Sequence, residues 1–431
     1  MQGKRILAVL CALALLAAGC SRPSPSVTEL RILNWGYEDS RYTNLYQAVQ
    51  AFNRRHPETP YALRVEKYQD NDWDAYQALC EARHSAGQLD LFATGHEYIG
   101  RLAAQDMILP MDDLLGQALF QQEYFQTIWP GISYAGQYWG MPIDIDVQMV
   151  FVHRDALRAA GYTARQIAAL PQEVASGRFR MDDLMDVARA GVQAGGFSYG
   201  LLHRPKNGQY FYMLAQAYGA LYPNADGTMC YDAERYAEML SFYQSLTESG
   251  LLPETMTEMS WTQVNQAVID GQAAVYFGAC YSLYDMVVEC GAVAQEVLDQ
   301  YTALLFPAVR EGGQPTTISH PMIYAVDSNT PYRDDIFEIL SIAFADSHNM
   351  AAHCAGTYHL PASTAVTQDA VFRNNTFLVD NMYMLDHTTF LPNHPDTRAQ
   401  MDRLFADVAA AERGTQTPAA LAQAAASAFA P

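Results

Sequence analysis

The chain has 431 residues, 50% of them hydrophobic and 17% charged, and a formal charge of −21. That length exceeds one ordinary core and suits two lobes. The acidity excludes nucleic acid and anionic lipid as electrostatic partners.

Lys4 and Arg5 precede an unbroken apolar run from Ile6 to Ala18, which is too short to span a bilayer and ends in "LLAAGC", Leu15 to Cys20. The stretch resembles a bacterial lipoprotein signal, with Ala17 where leucine is commoner. The resemblance implies removal of residues 1–19, lipidation of Cys20 and a polar tether over 20–29. A plain secretory signal is the alternative. Glu29–Trp35 then reads as a strand, followed by a helix with Leu45, Val49 and Phe52 on one face. Tyr61–Tyr68 alternates as a strand, and Trp73–Ser85 is helical up to Gly87. Leu89–Thr94 is a buried strand. Alternating β and α elements of this kind predict a parallel sheet covered by helices.

After a strand around Asp144, helices are expected over Met181–Val192, Tyr210–Tyr222, Ala233–Glu248 and Thr262–Asp270. Strands follow at Ala273–Gly278, Tyr301–Val309 and Thr317–Val326, then a helix over Arg333–Ala345 and a helical tail from Asp396. The strand-rich start and helix-rich middle read as separate lobes, and the lone later strands imply that the chain crosses between them more than once. Beyond the signal, Cys80, Cys230, Cys280, Cys290 and Cys354 form an odd set. A Cys280–Cys290 pair and buried free thiols both remain open.

The segment "MPIDIDVQ", Met141 to Gln148, sets Asp144 and Asp146 in an otherwise apolar stretch. On a strand, Asp144, Asp146 and Gln148 share one face, as acceptors about 6.6 Å apart, while Ile143, Ile145 and Val147 share the other. Carboxylates suit hydroxyl recognition because they offer several acceptor lone pairs and make charge-assisted bonds. Two carboxylates at such spacing also fit a glycosidase, but no G-x-S-x-G, H-E-x-x-H or Walker loop accompanies them. The chain is therefore not expected to be an enzyme, and no cofactor is implied. His348, His353, Cys354 and His359 lack metal-ligand spacing, so no metal is expected.

Several longer stretches carry a family resemblance. "LDLFATGHEYIGRLAAQDMILPMDDLL" (Leu89 to Leu115), "GQYWGMPIDIDVQMVFVHRDAL" (Gly136 to Leu157), "FYQSLTESGLLP", "DGQAAVYFGACYSL" and "AGTYHLPAS" follow one another in order. In that order they resemble segments of extracellular solute-binding proteins of the maltose-binding type. Arg180–Leu184 and Val152–Asp155 depart from the family pattern, so substrate identity does not carry over. The resemblance implies an α/β, two-lobed periplasmic-binding-protein fold with crossing hinge segments and a ligand cleft between the lobes. The crossings are expected near Asp144–Gln148, Ile318–Met322 and Ser363–Phe372. They divide the chain into a lobe of 30–144 plus 322–365 and a lobe of 149–318 plus 372–431.

By the same resemblance the protein is a monomeric, membrane-tethered receptor outside the bacterial cytoplasmic membrane. It delivers a mono- or oligosaccharide to the permease subunits of an ABC importer. The alternatives are a non-sugar ligand such as a polyamine and a secreted glycoside hydrolase. The expected ligand contacts are Tyr37 and Glu38 after the first strand, His96 and Glu97 after the third, and Asp144 and Asp146 on the cleft floor. Tyr281 matches a stacking aromatic of the family, and Tyr212, His320 and Tyr358 complete the set.

Overall fold

The computed structural model describes residues 26–429 apart from 37, 71, 225 and 226. The signal segment, Cys20 and Tyr37 therefore lie outside the described residues. The main elements are β1 (Thr28–Trp35), α1 (Ser40–Arg55), β2 (Tyr61–Tyr68), α2 (Trp73–Ser85), β3 (Leu91–Gly95), β4 (Met141–His153), β5 (Tyr199–Leu202), α3 (Gln209–Tyr218), β6 (Ala273–Ala279), α4 (Ser282–Cys290), β7 (Tyr301–Leu304), β8 (Thr317–Val326), α5 (Ser347–Thr357) and α6 (Thr397–Glu412). The central sheet runs β2-β1-β3-β8-β4-β6-β5, with β7 also paired to β4. β1 is parallel to β2 and β3, while β8 is antiparallel to both β3 and β4.

β4 is shared by both halves of this sheet. All thirteen of its residues are buried. Up to Val147 it pairs with β8; from Gln148 onward it pairs instead with β6, and then also with β7. A strand that exchanges neighbours midway belongs to two packing units at once, and the exchange falls at Val147–Gln148. β8 is the second shared strand, joined to β4 through Ser319–Tyr324 and to β3 through Met322–Val326. A further segment meets β4 at Leu360, where Ile145 and Leu360 exchange backbone hydrogen bonds of 2.8 and 3.0 Å. Just before it Tyr358, with φ 61°, ends α5 in the left-handed region and redirects the chain.

Two further differences have local causes. The helix expected over Tyr210–Tyr222 stops at Tyr218 because Gly219 sits at φ 75°, and Leu221–Pro223 then pairs as a strand with Met229–Tyr231. Cys280 and Cys290 are both free. The helix α4 between them spans roughly 12 Å, beyond the reach of a disulfide. Cys280 is buried under β4, where its sulfur accepts from the Val147 amide at 3.4 Å. Among the described residues no helix is long and apolar enough to cross a membrane.

Candidate functional site

The three segments converge on Ile145, which pairs with Pro321 on one side and Leu360 on the other. Their next residues are thereby brought together. His320 stands directly opposite Asp146 in the β8–β4 register, with Nδ1 3.4 Å from Asp146 Oδ2. From the other side His359 Nε2 lies 2.7 Å from Asp146 Oδ1. His320 Nε2 reaches Glu97 Oε2 at 2.7 Å, just past the C-terminal end of β3. Burial alone would pull both imidazoles down. The carboxylates Glu97 and Asp146 around His320, and Asp144, Asp146 and Glu38 around His359, override it and push each up to about 10. In return, and against their burial, Glu97 falls to about 2 beside His320, and Asp146 is held below the usual carboxylate range by His359 and His320. The floor is thus a chain of alternating fixed charges.

Asp144 is placed differently, although it shares a strand face with Asp146. It is wholly buried, and its Oδ2 takes Arg41 Nε at 3.2 Å and His353 Nε2 at 2.6 Å. Ser40 Oγ closes on His353 Nδ1 at 2.7 Å. Arg41 also pairs with Glu38. The start of α1 is in this way tied to β4 and α5. His359 and Arg41 hold the Asp144 carboxyl far below its usual range despite burial.

Above this floor lies a cavity of about 180 Å³ with one side open. In an open α/β sheet the crevice beyond the strand carboxyl ends is where ligands sit, and β1 and β3 deliver Trp35 and Glu97 to the cavity from those ends. Trp35 and Trp73 stack with centroids 3.8 Å apart and planes at 14°. Trp73 is placed by Asp72, whose side chain caps α2 by accepting from the Asp74 and Ala75 amides. The opposite wall carries Tyr281, Tyr284 and Trp261, with the Arg204 guanidinium 5.3 Å above the Trp261 ring. Asp285, in the first turn of α4, also lines the cavity. Burial and its neighbours Glu289 and Glu38 push its carboxyl well above the usual range.

Of the residues expected from sequence, Glu38, Glu97, Asp146, Tyr281 and His320 line this cavity together. Asp144 is sealed behind Arg41 and His353, and His96 is buried directly behind Glu97. Tyr212 does not reach the cavity: it faces the core of α3 and is 0% exposed. Tyr358 turns away because its left-handed backbone directs the ring onto Phe377. Trp35, Trp73, Arg41, Arg204, Trp261 and His359 were not anticipated. Trp35 ends a strand and Trp73 opens a capped helix, which was signal enough to find them. The others depend on long-range packing.

A family model described as bacterial extracellular solute-binding protein matches residues 47–378. No curated protein matches the chain. Among solved structures, the chain is similar to the GacH receptor of Streptomyces glaucescens, whose structures include an acarbose complex. The TM-score is 0.75 at 14% identity, covering 94% of this chain and 98% of that one. It is also similar to maltose-bound MalE3 of T. maritima, with TM-score 0.74, 14% identity and coverage of 94% and 99%. The sugar-binding protein MalE of Xanthomonas citri gives TM-score 0.70 at 16% identity, with 92% and 95% covered. At such identities the likeness establishes the two-lobed fold alone.

Proposed function

Because the chain belongs to the bacterial extracellular solute-binding protein family, we propose that its cleft binds a mono- or oligosaccharide and presents it to the permease subunits of an ABC importer. As a member of that family the protein is an extracytoplasmic binding protein and not an enzyme. The observation that carries the saccharide reading is the pairing of flat rings with fixed acceptors. The Trp35–Trp73 stack and Tyr281 set aromatic rings in the cavity wall against the C–H surfaces of a sugar, and Asp146 and Glu97 offer charged acceptors for its hydroxyls. Residues 30–144 plus 322–365 and 149–318 plus 372–431 form the lobes in this proposal, turning about Val147–Gln148. Closure is favoured only by the ligand's greater affinity for the closed form. Lipidation at Cys20 tethers the monomer to the outer face of the cytoplasmic membrane.

One observation favours a second ligand class. Asp285 and Glu289 line the cavity, and among the described residues neither has an ion-pair partner within reach, so a cation such as a polyamine has a place to sit. A thermal-shift panel separates the two. A ligand at about 100 times its Kd adds about 2.7 kcal/mol; the saccharide reading expects that shift from a sugar and none from polyamines, and the reverse pattern replaces it.

Gly95 supplies a second test. A Cβ there would lie 2.3 Å from Glu97 Oε2 and 2.5 Å from His320 Nε2. Its backbone is ordinary, with φ −73° and ψ 145°, so the glycine serves space and not conformation. The obstructed atoms are side-chain tips. Gly95→Ala should therefore keep the fold but displace the Glu97–His320 pair, lowering ligand affinity by about 10- to 100-fold, the equivalent of one charge-assisted bond. Calorimetric titration beside a circular-dichroism melt checks both halves; unchanged affinity would show that the pair does not contribute.

A further inference from the structure

We propose that His96, Glu97 and His320 form a binding site for a divalent cation of the zinc class at the cleft floor. Their donor atoms all lie within 4.8 Å of one another. A tetrahedral ion with bonds of 2.0–2.1 Å holds its donors about 3.4 Å apart. His320 Nε2 and Glu97 Oε2 stand at 2.7 Å, and His96 Nδ1 and Glu97 Oε2 at 3.7 Å, so the two separations bracket that figure. Admitting the ion takes modest side-chain rotations and displaces the proton that His320 shares with Glu97.

Two independent features point to a ligand here. His96 is 0% exposed, yet neither ring nitrogen has a well-formed hydrogen bond, the Leu391 backbone making only a weak one. Buried polar groups are rarely left so, and a cation would give one nitrogen its partner. His320 turns its second nitrogen toward Asp146 at 3.4 Å, the outer carboxylate that metal-bound imidazoles commonly have. Two imidazoles and one carboxylate suit zinc and its neighbours, whereas calcium and magnesium prefer oxygen alone. Glu97 and His320 line the cavity, so the fourth position opens toward it and is accessible to water or a ligand oxygen.

The neighbouring trio of Asp144, His353 and His359 has similar spacing but is chemically unlike it. Arg41 already occupies the Asp144 carboxylate and would repel a cation. Near the proposed site Arg398, within electrostatic range of Glu97, is held by Asp74 and Asp402.

The test uses the full chain, stripped of metal with a chelator and free of saccharide. Titration with ZnCl2 by calorimetry should give one site per chain, and CoCl2 should give the intense visible bands of a four-coordinate ion. Glu97→Gln, which preserves shape, and His96→Ala should each weaken binding by at least about tenfold and remove the bands, while metal-free melts confirm that both variants fold. Absence of the bands in the wild type overturns the proposal. So does equal binding by the folded variants, which would move the ion to a surface pair such as His348 and Asp369. With no sugar present, failure here leaves the saccharide reading intact, and failure of that reading leaves this result standing.

Discussion

Asp146→Ala loses ligand affinity by about 100-fold or more while keeping its fold. Asp146 is 7% exposed and lines the cavity from β4, opposite His320 of β8. A charge-assisted hydrogen bond contributes about 1.5–3 kcal/mol, and a carboxylate can accept more than one. The imidazoles it leaves behind retain partners: Glu97 for His320, and Glu38 together with the nearby Asp144 charge for His359. The truncation therefore removes a ligand acceptor without stranding a buried charge. Calorimetry with the ligand bound by the wild type, run beside a melt of the free protein, measures both. Wild-type affinity in this variant removes Asp146 from the site.

Asp144→Ala has the opposite signature, a loss of stability. Its partner Arg41 has a side chain only 3% exposed. Removing one member of a buried ion pair costs about 3–5 kcal/mol, because the remaining charge stays buried. Glu38 still neutralises Arg41 in part, which places the effect near the lower end. The thermal midpoint should fall by several degrees, and the link from α1 to β4 and α5 should loosen. A midpoint equal to wild type would mean that the Arg41–Asp144–His353 cluster does not brace β4. In this proposal the two aspartates separated by one residue divide the work, Asp144 bracing β4 through Arg41 and His353 and Asp146 lining the cavity.

That division could not be read from the sequence. Alternation correctly put Asp144 and Asp146 on one face of a strand, but what distinguishes them is Arg41, 103 positions away, and His353, 209 positions away. Elements bounded by prolines, glycines or caps were legible to the residue: Tyr61–Tyr68, Trp73–Ser85, Ala233–Glu248 and Thr317–Val326. Ala164–Ala175 was hidden because Pro171 lies inside the helix. Glu97 and His320 could be anticipated because they follow or lie on strands that feed the cleft, and Tyr281 because its segment resembles the family's. His359 could not, since its role comes from the Ile145–Leu360 bridge, which no local pattern announces. The cation trio was equally invisible, because His320 stands 223 positions from Glu97.

The central claim is that the cleft is a saccharide receptor site. Mass spectrometry of small molecules released from natively purified protein, or from protein incubated with a mixed saccharide and polyamine pool, tests it most directly. The account predicts one stoichiometric mono- or oligosaccharide from the wild type and none from Asp146→Ala. Release of a polyamine or other non-sugar, or equal sugar from both proteins, would contradict it.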